Sequence, residues 1–271
     1  MPELPEVEIT RRGIEPFVIG KTITGVAVRN RNLRQRIPRK LASILVGQRV
    51  KRLVRRGKYL LFECDAGSLI VHLGMSGSLR VIEPGTLPRE HDHVDLVFGG
   101  IALRLRDPRR FGVVLWKDGD AFRHPLLARL GVEPLGEHFS PEFLYRASRG
   151  RGVGIKQLLM NASVVVGIGN IYANESLFKA GIHPRAPSAR LSRARCERLV
   201  AAVRDVLLAA IAAGGSSLRD FVQSDGSPGY FQQYYCVYDR AALPCRVCGA
   251  AIRVSRMGQR SSYFCATCQK K

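Results

Sequence analysis

Acid is what this chain lacks. Only 22 Asp and Glu stand against 43 Lys and Arg in 271 residues, a formal net charge of +21 at pH 7, with a pI near 10.4. Such an imbalance goes well past what solubility needs and points to a polyanionic partner. No apolar run approaches the length of a membrane span, and no long basic amphipathic stretch free of acids suggests a helix lying on a membrane. The amino end is acidic and broken by proline, without the basic and apolar regions of a secretory signal. A reducing, cytoplasmic setting is therefore expected, in which the seven cysteines more often bind metal than form disulfides. Nucleic acid leads as the partner class.

What is present suffices for a full core: 46% of the residues are apolar, and the length accommodates two domains. Leu4, Val7, Ile14 and Phe17 predict an amino-terminal helix from Leu4 to about Val18, ending before Gly20. From Thr22 to about Trp116 the texture turns to short β-branched and aromatic runs, including 59–62, 69–71, 94–98 and 113–116, which suggest a sandwich. Beyond about residue 131 helix formers take over. Helices are expected at 155–160, 171–180 and 193–213, the last stopped by Gly214-Gly215, with a glycine-rich turn at Gly167-Ile168-Gly169-Asn170. The expected division is 1–131, a β-sandwich domain; 132–225, a helical domain; and 226–271, a linker with a small terminal module. The fold class is α+β.

That terminal module carries the most specific spacing. Cys245-x2-Cys248, sixteen residues, then Cys265-x2-Cys268 is the pattern of a closed, structural four-cysteine zinc site with one ion per chain. The intervening 250–264 alternates like a hairpin, and its tip would present Arg260 to a phosphate. Cys64, Cys196 and Cys236 lack such partners and read as ordinary thiols. The glycine turn could offer backbone amides and the Asn170 side chain to a phosphate at a helix start.

At the other end, removal of Met1 would leave Pro2 as a secondary amine beside Glu3 and Glu6. A terminal amine has a reference pKa near 7.7–8.0 against about 10.4 for lysine, so far more of it is neutral at pH 7. Its attack on a sugar C1′ gives an iminium that cannot shed its charge from nitrogen, an electron sink suited to cutting a glycosidic bond. Glu3, nearest the amine, suits a general acid, and Glu6 lies on the same helical face. Lys58, in Arg55-Arg56-Gly57-Lys58, suits a phosphate.

These residues sit in ordered motifs: Pro2-Glu3-Leu4-Pro5-Glu6-Val7-Glu8, Arg56-Gly57-Lys58-Tyr59-Leu60, His72-Leu73-Gly74-Met75-Ser76-Gly77 and His91-Asp92-His93-Val94-Asp95. Asp107-Pro108-Arg109-Arg110-Phe111-Gly112, Val166 to Tyr172, Gln223-Ser224-Asp225-Gly226 and the cysteine module continue the series. Over essentially its whole length the chain resembles the bacterial formamidopyrimidine-DNA glycosylases, repair enzymes that excise oxidised purines and cut the strand. The resemblance implies an amino-terminal helix and β-sandwich, a helix-two-turn-helix domain and a hairpin zinc finger, acting as a monomer on double-stranded DNA with oxidised purines or abasic sites.

It implies Pro2 as nucleophile and Glu3 as proton donor to the opening sugar. Lys58 would support β-elimination, Arg260 phosphate binding and δ-elimination, and Glu6 a secondary role. Met75, Arg109 and Phe111 would fill the gap left by a flipped-out nucleotide. His72, His91 and Arg151 would bind DNA and Asn170 a phosphate, while Arg29, Arg31, Arg34 and Arg36 would add salt-sensitive affinity. The segment covering the damaged base is expected within 218–238. Two alternatives remain: the related endonuclease VIII type acting on oxidised pyrimidines, against which Leu4 and Arg109-Arg110-Phe111 speak, and a non-catalytic zinc-dependent damage-binding protein.

Overall fold

A computed structural model describes residues 2–216 and 224–271. Met1, Gln223 and the first part of the expected base-covering segment lie outside the described residues. The chain divides into two compact units, Met1–Ala128 with Ala213–Tyr230, and Arg129–Ala212 with Phe231–Lys271. The residues after the long third-quarter helix thus return to the first unit, and the cysteine module groups with the helices.

The first unit opens with α1 (Leu4–Val18), which has Pro5 in its first turn, where a missing amide costs nothing. Leu4, Val7, Ile14 and Val18 are fully buried. Phe17, counted with that face in the sequence, is instead 43% exposed, and Val18 takes its place. Helical spacing explains the exchange, since at about 100° per residue Val18 falls within about 40° of Leu4, Val7 and Ile14, whereas Phe17 is turned about 60–140° away from them.

The strands follow: β1 (Gly25–Val28), β2 (Arg52–Arg56), β3 (Tyr59–Glu63), β4 (Gly67–His72), β5 (Ser78–Ile82), β6 (Asp92–Val97), β7 (Ala102–Arg106) and β8 (Val113–Asp118), with the short helix α2 (Leu41–Leu45) after β1. They form two antiparallel sheets, ordered β1-β6-β7-β5 and β2-β3-β4-β8. One apolar cluster draws on both, with Leu60, Phe62, Leu69 and Val71 from one sheet and Leu79, Val94, Leu96, Leu103 and Leu105 from the other. This is the expected sandwich. Alternation along β5 and β7 sends Leu79, Leu103 and Leu105 inward and Arg80, Arg104 and Arg106 to the opposite face.

The first unit's opening stretch ends in α3 (Pro125–Ala128); the second unit is helical, with α4 (Pro141–Ser148), α5 (Ile155–Leu159), α6 (Asn170–Lys179) and α7 (Arg193–Ala212). Ser140 caps α4 by accepting the Phe143 amide on Oγ at 3.1 Å, and Pro141 follows it. Residues 171–178 of α6 are buried all round, as befits the central helix of a small bundle. The last element is the hairpin β9 (Arg253–Met257) and β10 (Arg260–Phe264). No helix among the described residues is long and apolar enough to cross a membrane.

Candidate active site and nucleic-acid interface

Glu6 organises the start of the chain. Its carboxylate is 1% exposed, and Oε2 accepts the Glu3 amide at 2.8 Å while Oε1 accepts the Ser216 amide at 2.9 Å. One side chain thereby ties the first turn of α1 to a segment 210 residues downstream. Gly215, at φ 76°, permits that approach, since a Cβ there would lie 3.1 Å from Glu6 Oε1. Pro2 and Glu3 are buried beside this anchor.

Lys58 occupies a two-residue hairpin loop with Gly57 between β2 and β3, where Gly57 at φ 58° supplies the left-handed conformation the turn demands. Across the sheet from Tyr59 stands His72, their ring centroids 4.7 Å apart. His72 Nδ1 accepts the Gly74 amide at 2.9 Å, which leaves the ring proton on Nε2. Burial, reinforced by the cationic Lys58 and Arg34, pulls the His72 pKa down to about 4. His72 is therefore a neutral donor at physiological pH.

Met75, Arg109 and Phe111 come from two loops that the structure brings together. A Cβ on Gly74 would sit 2.5 Å from Gly112 N, so only glycine allows the two backbones to meet. The joint is held by Asp107, which is completely buried. Its Oδ1 accepts the Ser76 hydroxyl at 2.9 Å and its Oδ2 the Gly112 amide at 2.7 Å, while Ser76 Oγ accepts the Arg109 amide at 3.1 Å. The Arg109 guanidinium lies 5.1 Å from the centre of the Phe111 ring. Phe111 is 42% exposed and Met75 half-buried, so neither is a core residue. His91 and Arg110 flank these loops at φ 73° and 55°, conformations that side chains rarely adopt.

The four expected arginine flanks divide. Arg29 is spent on Asp95 at 2.5 Å, and Arg31 donates to the Pro38 and Arg39 carbonyls at 2.6 and 3.2 Å. Arg34 and Arg36 remain exposed. Sequence supplies the charge of a side chain but not the distant carboxylate or carbonyl that neutralises it.

In the second unit Arg260 opens β10 directly after the Gly258-Gln259 turn, opposite Met257, and is exposed. The strand beneath is fixed by Lys156, 2% exposed, whose Nζ donates to the Ser261 carbonyl at 2.8 Å and the Ser262 hydroxyl at 2.6 Å. Asn170 is the first residue of α6, and its Oδ1 is buried without a partner among the described residues. Arg151 is exposed. Sequence reasoning misses Lys156, Asp107, Ser76 and Ser216. Asp107 and Ser76 lie inside the ordered motifs, whereas a buried lysine and a serine 210 residues from its partner carry no local signal.

The four cysteine sulfurs lie within 4.8 Å of one another, with Cys245–Cys268 at 3.9 Å and Cys248–Cys265 at 3.4 Å. Zinc–sulfur bonds of about 2.3 Å in a tetrahedron require edges of about 3.8 Å. The set fits one structural zinc ion and leaves no open position. Burial pushes the other thiols up, Cys64 to about 11, as expected of inert cysteines.

Family models match three stretches: a formamidopyrimidine-DNA glycosylase N-terminal domain at 1–114, an H2TH domain of the same enzymes at 130–222, and a zinc finger found in FPG and IleRS at 242–271. A formamidopyrimidine-DNA glycosylase of Aromatoleum aromaticum is 59% identical over 271 residues, all of both chains. The solved MutM (Fpg) protein from Thermus thermophilus is 40% identical, with a TM-score of 0.89 over 99% of this chain and 98% of that one. Lactococcus lactis Fpg, solved with a N7-benzyl-Fapy-dG containing DNA, is 33% identical with a TM-score of 0.92 over 100% of each.

Proposed function

Since the chain belongs to the formamidopyrimidine-DNA glycosylase family, we propose that it excises oxidised purines such as 8-oxoguanine and formamidopyrimidines from duplex DNA and then cuts the strand, with Pro2 as its nucleophile. It acts as a monomer in the cytoplasm, on the cell's DNA. The observation that carries the reading is the buried start of α1, where Glu3 is 2% exposed and held by the Glu6 carboxylate immediately after the one residue able to present a secondary amine.

In this reading the Pro2 nitrogen attacks C1′, the C1′–base bond breaks, and the base leaves with the bonding pair and takes up the proton that the amine gives up. Glu3 delivers a proton to the ring oxygen as the sugar opens, leaving a cationic iminium on Pro2. A base, here the Glu3 carboxylate left by the ring opening, takes a C2′ proton; the C–H pair flows into the iminium and the resulting enamine expels the 3′ phosphate from C3′, after which a second elimination expels the 5′ phosphate. Water then hydrolyses the iminium and restores the amine. Lys58 supports the first elimination and holds phosphate; Arg260 holds phosphate and supports the second. Met75 and Phe111 wedge against the unstacked neighbours while Arg109 hydrogen-bonds the orphaned cytosine. His91, Arg151 and Asn170 bind the backbone, and neutral His72 donates through Nε2. With Met1 attached the Pro2 nitrogen is an amide and no adduct forms, so processing is required.

Borohydride trapping of Met-processed protein on a duplex with one 8-oxoguanine opposite cytosine tests this. An adduct mapping to residue 2, lost in Pro2→Gly and weakened in Lys58→Ala, is expected. Stronger trapping on thymine glycol moves the chain to the oxidised-pyrimidine type. Tight lesion binding with no adduct, the terminus verified as Pro2, makes it a non-catalytic damage-binding protein.

A further inference from the structure

On the face of the β1-β6-β7-β5 sheet away from the core lies a cavity of about 140 Å³ lined by Arg80, Arg89, Arg104, Arg106 and Asp92, together with Ile82, Thr86 and Leu87. A cavity needs only about 10–15 Å³ to hold one water, so this one has room for an ion with its hydration. Arg80 and Arg104 are directly opposite each other on β5 and β7, and Ser78 stands opposite Arg106. Like charges in such a pair repel unless something neutralises them.

Protein groups neutralise only one of the two. Arg104 is saturated: Nε and Nη2 take both Asp95 oxygens at 2.9 and 2.8 Å, Nη1 reaches Asp92 at 3.5 Å, and the Thr86 and Leu87 carbonyls accept at 2.7 and 3.1 Å. Asp95 is further shared with Arg29, and Asp92 also accepts the Arg89 amide at 2.8 Å. Both acids are thus committed. The guanidiniums of Arg80, Arg89 and Arg106 have no hydrogen-bond acceptor among the described residues, and Arg80 Nε is shut off from solvent with no partner. An unpaired charged donor in the wall of a basic cavity carries a desolvation cost that an anion bound by the same guanidinium would offset.

We propose that this pocket is a phosphate-binding site, in which Arg80 and Arg106 grip a tetrahedral oxyanion from β5 and β7 while Arg89 closes over it from the β5–β6 connection. Planar guanidiniums suit a phosphate because each can give two parallel N–H bonds. The same chemistry could come from a phosphate of the bound duplex or from a small free phosphate, and the two sources separate experimentally.

Full-length zinc-loaded protein is titrated with inorganic phosphate and pyrophosphate, following arginine Nε–H resonances, for wild type, Arg80→Gln, Arg106→Gln and the exposed control Arg123→Gln. Saturable shifts of the Arg80 signal, and a phosphate-dependent rise in Tm that both pocket variants lose and the control keeps, are expected. The salt dependence of binding to a short and a long lesion duplex then identifies the source. A slope of log K on log salt that falls by about 0.9 on the long duplex alone in either pocket variant assigns the phosphate to DNA. An unchanged slope with lost pyrophosphate binding assigns it to a free phosphate. Wild type and both variants indistinguishable in all readouts would overturn the proposal, and Arg106→Gln keeps it testable should Arg80→Gln fold poorly.

Discussion

The two units differ in the size of the core behind their functional side chains. In the first, buried carboxylates do the holding: Glu6 joins the first turn of α1 to Ser216, and Asp107 joins the Met75 loop to the Arg109–Phe111 loop. Both work because a large apolar cluster drawn from two sheets keeps their partners in register. In the second, Arg260 stands on a two-stranded hairpin whose local core is Phe178, Val237, Cys245, Ile252 and Cys265, so that two of the five residues are zinc ligands. Two strands alone are marginal in water. Metal there replaces the core that the hairpin cannot bury, and the two halves should yield to different insults.

The largest effect expected is from stripping the metal. Structural zinc in finger peptides contributes about 10–16 kcal/mol, comparable with the entire stability of an ordinary domain, about 5–15 kcal/mol. A strong chelator should melt β9–β10, abolish lesion binding and leave the fluorescence of Trp116, the sole tryptophan and a first-unit residue, nearly unchanged. Full lesion binding by protein verified as zinc-free would refute the division of labour.

The converse insult is Asp107→Ala. It strips the Ser76 hydroxyl and the Gly112 amide of their acceptor inside the sandwich, at about 1–3 kcal/mol for each buried group left unpaired. The expected result is a loss of roughly 2–4 kcal/mol in urea unfolding followed at Trp116, weaker discrimination of lesion from undamaged duplex, and unchanged zinc content. A variant of normal stability whose lesion preference is intact would show that the two loops hold themselves together.

How much of this was legible in sequence follows the range of the interactions. The helix at Leu4–Val18, the strands within 59–98 and the four-cysteine hairpin depend on periodicity and short spacings, and they stand within one or a few residues of where the pattern puts them. The roles of Glu6 and Asp107 depend on partners up to 210 residues away. Glu6 was placed near the amine but its second partner was invisible, and Asp107 was read only as part of a motif. Arg29 and Arg31 read in sequence as flanks that add salt-sensitive affinity, because nothing near them hints at Asp95 or at the Pro38 and Arg39 carbonyls. A motif names the residues that touch a ligand; the residues that aim them must be found in three dimensions.

Acid offers the gentlest way to separate the units, and His72 is the group that reports it. Its pKa is held near 4 by burial and by Lys58 and Arg34, whereas an unfolded histidine titrates near 6.5. As pH falls through about 6.5 the unfolded chain takes up a proton that the folded one refuses, so stability is lost steadily until about pH 4, below which both forms are charged. Between pH 7.5 and 5.5 that amounts to about 1 kcal/mol, less wherever solvent screens the ring. His72→Asn should remove this sag, because the Asn Oδ1 can still accept the Gly74 amide while carrying no titratable proton. The comparison to make is urea unfolding of zinc-loaded wild type and variant at the two pH values, read at Trp116, beside the ring-carbon shift of His72. A ring that titrates near 6.5 in the folded protein would mean that this corner is open to water and that the first unit owes its rigidity to the carboxylate anchors alone.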